Sequence, residues 1–131
     1  MRFLHLIFGI AIVVVFLLTG QYMDKYLHHL GGMPDGPRML YRTRHIYILM
    51  SGLVHLALAA YLVVRTAGWQ RVLQWLGSVV LITSSLLFVA AFFYDSRRGD
   101  LAAPLSRQAI FALAYGTLFH LFSLLGKSRA A

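Results

Sequence analysis

Four apolar stretches, at about 3–20, 45–64, 72–94 and 108–125, take up most of this 131-residue chain. Each approaches the roughly 20 residues that a helix needs to cross about 30 Å of hydrocarbon. In that layer a lone segment can pair its backbone N–H and C=O groups only by becoming a helix. The expected fold is therefore all-α, an integral membrane four-helix transmembrane bundle. It forms a single transmembrane domain over 1–131, with a basic, partly helical loop at 21–44. The remaining connections are too short for a separate soluble domain.

Only 12% of the residues are charged and the mean hydropathy is +0.72, against roughly a quarter charged in soluble domains. The first stretch, "MRFLHLIFGIAIVVVFLLTG", begins like a signal peptide. Its apolar run is longer than the usual leader core, however, and "LLTGQYM" has no small-residue cleavage pattern, so it reads as a retained span. Tyrosines and tryptophans (Tyr22, Tyr26, Tyr41, Tyr47, Tyr61, Trp69, Trp75 and Tyr94) mark the ends of the spans, where amphipathic rings collect at the headgroups.

The net charge is +8, and every lysine and arginine lies in or beside a loop or terminus. That placement points to anionic lipid headgroups and not to nucleic acid. The excess of arginine over lysine, ten to two, suits a GC-rich bacterium, and the expected location is a bacterial inner membrane. Lys and Arg numbers alone favour the long loops as the cytoplasmic side. The short connection at 65–71 and the tail carry their charges undiluted by acids, which tips the expectation towards cytoplasmic termini.

With no cysteine, the chain has no thiolate for disulfides, zinc, iron–sulfur clusters or covalent c-type haem. Hydrolase, phosphate-loop and dinucleotide motifs are missing as well. What stands out is histidine at membrane depth, where an ionisable side chain is costly and faces a partner. His5 lies near the start of span one, His55 near the middle of span two and His120 near the end of span four. Each has a glycine within one turn: Gly9, Gly52 and Gly116. Small residues there serve close helix packing, or they make room for a macrocycle such as haem b held by two imidazoles. Of the pairs, His5 with His120 matches best in depth and His55 with His120 next, with His55 expected 6–10 Å deeper at about 1.5 Å per residue. Hydrogen bonds to Thr83, Ser84 and Ser85 are the packing alternative.

At the edge of span two, Arg38, Arg42, Arg44 and His45 are candidates for lipid phosphate or other anion contacts, including haem propionates. His28 and His29, with Asp24 one turn back, have the residue types of a metal site. Adjacent helical residues point about 100° apart, though, which makes it a weak one. In layout the chain resembles b-type membrane cytochromes, a likeness of architecture without an alignable motif. The leading expectation is a small non-enzymatic membrane protein or accessory subunit, partnered by lipid, other membrane subunits or a second copy. A haem b electron carrier is the alternative. A histidine-based proton or metal transporter comes third, weakened by the lack of Asp and Glu in the expected spans.

Overall fold

The computed structural model describes residues 1–66, 68–98 and 102–125, all-helical in its regular structure. Gly99 and Asp100, and Lys127 and Arg129 of the tail, lie outside the described residues. Four α-helices follow in order: α1 (Arg2–Lys25), α2 (Asp35–Tyr61), α3 (Gly68–Arg98) and α4 (Pro104–Phe122), with a short 3-10 turn at His28–Leu30. α1, α2 and α3 are long and apolar enough to cross a membrane. α4 is shorter, at 19 residues, and polar in its first turns. Together with the residues after it, α4 is tied to α3 at both ends: Asp95 of α3 binds Ser106, and Gln70 of α3 donates to the Leu125 carbonyl.

The helix bounds depart from the apolar stretches for local reasons. α2 begins at Asp35, ten residues before the expected span. Asp35 and Pro37 both suit a first turn, one by its negative charge and the other because its missing N–H has no partner there anyway. The arginines expected in a loop at 38–44 are therefore helical. α1 stops at Lys25, short of Gly31 and Gly32. His28, His29 and Leu30 then adopt left-handed backbone (φ 47°, 56° and 62°), which turns Leu30 back into the core.

α1 packs with α2 and α3 with α4 as two hairpins, and α2 meets α3 across the seam between them. The loop-side half is an aromatic core in which Phe92 meets Tyr41 and Tyr22 edge to face and Phe88 packs against a tilted Tyr47. At the terminal half, helices come together backbone to backbone. A Cβ on Gly77 would fall 2.9 Å from the Gly116 carbonyl oxygen, and one on Gly116 would fall 2.7 Å from Leu81 Cγ. Across the other hairpin, Gly9 faces Leu56 and Gly52 faces Ile12 and Val13. The room beside Gly9, Gly52 and Gly116 is thus filled by neighbouring helices. Gly77, facing Gly116, is the partner that the sequence reading passed over.

Gln74 closes the terminal end. It donates to the Val63 carbonyl at 2.7 Å and accepts from the Arg65 N–H at 3.0 Å, pinning the extended 62–66 connection against α3. Arg2 Nε donates to the Leu62 carbonyl, tying the start of α1 to the end of α2.

Replacing Gly116 by Leu forces α3 and α4 apart and should lower stability by about 1–3 kcal/mol, the usual penalty of overpacking. A melting temperature of the detergent-solubilised variant equal to the native value would show that the helices do not meet at this glycine.

Candidate functional site

His5, His55 and His120 converge on Ser78 and Ser85 of α3. The three rings are 0%, 1% and 4% exposed, so every polar atom has to find its partner inside. Arg2 is level with Leu62, and Gly9 with Gly52 and Leu56. His55 therefore starts about one helical turn, or about 5.4 Å, deeper than His5. The side chains bridge that difference: His5 Nδ1 and His55 Nδ1 are 2.7 Å apart, with ring centroids at 5.0 Å. The direct pair is His5 with His55, not either pair involving His120 that depth favoured. The reason is that α2 ends at Tyr61, which brings His55 closer to the terminal side than a span of 45–64 implied.

His120 joins through Ser78. The Ser78 hydroxyl is 3.0 Å from His5 Nε2 and 3.3 Å from His120 Nε2, and 2.8 Å from the Gln74 carbonyl. At the far end, Ser85 Oγ is 3.2 Å from His55 Nε2 and 3.2 Å from the Leu81 carbonyl. Of the three expected hydroxyl partners only Ser85 reaches a histidine. Ser84 donates to the Ala109 carbonyl of α4 at 2.8 Å, and Thr83 faces outward and bonds its own helix. Ser78 is the hub, missed because a serine one turn from Gln74 carries no sequence signal of its own.

A neutral imidazole has one donor and one acceptor nitrogen, and a serine hydroxyl has one hydrogen. Two proton arrangements keep the whole chain bonded. In one, Ser85 donates to His55, His55 to His5, His5 to Ser78 and Ser78 to the Gln74 carbonyl. In the other every direction reverses: Ser78 donates to His5, His5 to His55, His55 to Ser85 and Ser85 to the Leu81 carbonyl. When Ser78 donates to His5 or to the Gln74 carbonyl, His120 donates to Ser78 from Nε2; in the first arrangement Ser78 can instead turn its hydrogen to His120 Nε2. The other ring nitrogen of His120, Nδ1, is buried without a partner. His120 also borders an apolar cleft of about 420 Å3 between the ends of α2 and α4, lined by Val54, Leu58, Tyr61, Leu121 and Leu124.

Haem ligation does not fit this geometry. Metal–imidazole bonds of about 2.0 Å put two axial nitrogens about 4 Å apart with the macrocycle between them. His5 and His55 touch directly, Ser78 bridges His5 and His120, and the glycine spaces are closed by helices.

The remaining candidates are scattered. His45 turns towards α1, where Nδ1 is 3.0 Å from Thr19 Oγ1, its ring stacks on Phe16 at 4.1 Å and its edge lies against Gly20. It thus packs α2 against α1 and is half-buried. Arg38 pairs with Asp35 at 2.9 Å and donates to the Met33 carbonyl, while Arg42 is exposed. Arg44, expected at the headgroups, is buried on the side facing α3. Asp24 pairs with His29 at 2.7 Å without His28. Among the described residues, no group of three histidine or acidic side chains is placed to hold a metal ion. Asp95, expected in a loop, is buried inside α3 and accepts from both the N–H and the hydroxyl of Ser106, capping α4 from a neighbouring helix.

No family model, curated protein or solved structure matches the chain.

Changing His55 to Leu leaves His5 Nδ1 unpaired and should cost about 1–3 kcal/mol, as should His5→Leu. The double variant removes both ends of the bond and should lose clearly less than the sum of the two. Unfolding free energies in mixed micelles measure this, and strictly additive losses would mean that the rings are not coupled.

Proposed function

We propose that this is a small, non-enzymatic membrane protein whose intramembrane histidines lock its own helices together, serving as an accessory component of a bacterial inner membrane and not as an electron carrier. The observation that carries this reading is the 2.7 Å contact between His5 and His55, with Ser78 and Ser85 taking up their outer nitrogens. Between helices in lipid such bonds contribute about 0.6 kcal/mol each on average, up to about 1.7. A chain of them that touches all four helices accounts for histidine at this depth without a cofactor. The small-residue faces are already occupied within the bundle. A partner subunit or second copy would therefore meet the outer surfaces, such as Ile7, Ile10, Val14 and Leu17 of α1, all of which are exposed.

The test is spectroscopic and thermal together. Protein produced with haem supplied should purify without a Soret band, and His5→Leu should lower its melting temperature. Stoichiometric haem lost in the same variant would overturn the reading.

A second reading, proton relay, is favoured by the two complementary arrangements of the chain, since passing between them shifts protons along it. Beyond Ser85 the core continues with buried Phe88, Ile48 and Phe92, which form an apolar plug. A relay through the whole bundle needs that plug to open. In liposomes loaded with a pH dye, such a relay would acidify faster than empty liposomes, and His55→Leu would abolish the difference. Equal rates would leave packing as the role of the histidines.

A further inference from the structure

At the loop-side end a second buried polar group is left incomplete. Arg44 is only 6% exposed and Asp95 only 1%. The carboxylate attracts the guanidinium, yet the two do not close into an ion pair. Asp95 Oδ2 is already engaged by Ser106, and both Asp95 Oδ1 and Arg44 Nε are buried without a hydrogen-bond partner. Burying a guanidinium this deeply is expensive unless its donors are met.

Beside Arg44 opens a cavity of about 270 Å3, lined by Tyr47, Ser106 and Arg107 together with Ile110 and Phe111. Arg107 is an exposed second guanidinium at the same cavity. Among the described residues, groups of α1 do not line it, and the charged groups that bear on it are Arg44 of α2, Asp95 of α3 and Arg107 of α4. The first turn of α4 adds the positive end of its dipole. Two cations thus face one carboxylate that is already bonded to a helix N-terminus, so the cavity favours an anion with several acceptor oxygens. Planar guanidinium donors match phosphate in that way. Ile110 and Phe111 are 40% and 56% exposed. They extend the same wall as apolar surface, suited to the start of an acyl chain and superfluous for a free ion.

We propose that this cavity binds the phosphate of an anionic phospholipid, with Arg44 at its buried floor, Arg107 at its mouth and the acyl chain along Ile110 and Phe111. The basic run thereby acts through one arginine turned inward.

The full chain in neutral detergent is titrated with phosphatidylglycerol, with phosphatidylcholine and with sodium phosphate, reading melting temperature and lipid retained in native mass spectrometry. Phosphatidylglycerol is expected to raise the melting temperature and remain bound, whereas phosphatidylcholine and free phosphate have little effect. Arg107→Gln, at an exposed position that does not threaten folding, should weaken retention about tenfold, the loss of roughly one charge-assisted hydrogen bond. Arg44→Gln should abolish retention, and Arg42→Gln, exposed and outside the cavity lining, should leave it unchanged. Equal retention of phosphatidylcholine, or full retention by Arg107→Gln, would overturn the site. Stabilisation by sodium phosphate alone would overturn the assignment to lipid.

Discussion

Lipid offers no hydrophobic reward for bringing two apolar helices together, so this bundle depends on what its helices can do only at short range. Gly77 and Gly116 set that range, because each lets the other helix's backbone approach where a single methyl group would collide. Close approach has a second effect beyond dispersion contact. It brings short polar side chains within hydrogen-bonding distance of a neighbouring helix: Ser84 of the Ala109 carbonyl, and Ser78 of His120. The polar chain at the terminal end and the glycine contacts are therefore one device.

The two halves of the bundle solve the same problem differently. On the loop side, large rings fill the centre and the helices are held by aromatic contacts around Phe88 and Phe92. Two charged groups enter there: the Asp95 carboxylate, which takes the place of an N-cap for α4, and the Arg44 guanidinium. On the terminal side the centre is polar and thin, and its histidines replace bulk with directed bonds. A haem site would need the reverse, a wide gap between histidines that stay apart. The closeness that makes the helices adhere is what removes that space.

Much of the outline was legible in the sequence. Apolar lengths of about 20 residues separated by Tyr, Trp and Arg specify the helices, and histidines paired with glycines one turn away mark the faces that turn inward. Less legible was how those faces meet. Asp95 looked like a loop acid because hydropathy falls off after Tyr94, yet α3 continues to Arg98 and turns Asp95 into the bundle. Arg44 looked like one more headgroup contact in a basic run, but a helix starting at Asp35 keeps Arg38 and Arg42, one turn apart, on one face and turns Arg44 to the other side. Ser78 had nothing to distinguish it from any serine in an apolar helix.

The sequence by itself determined that the chain is helical, that it belongs in a membrane, and that its intramembrane polarity resides in histidine and serine, because backbone pairing in hydrocarbon leaves an isolated segment one conformation and side-chain chemistry is read directly from residue type. Only the tertiary structure decided that His5 meets His55, that Ser78 carries His120, and that the glycines lie against neighbouring helices. Those outcomes depend on the rotation and stagger of one helix against another. A shift of one residue turns a helix by about 100°, and no local pattern in the chain records it.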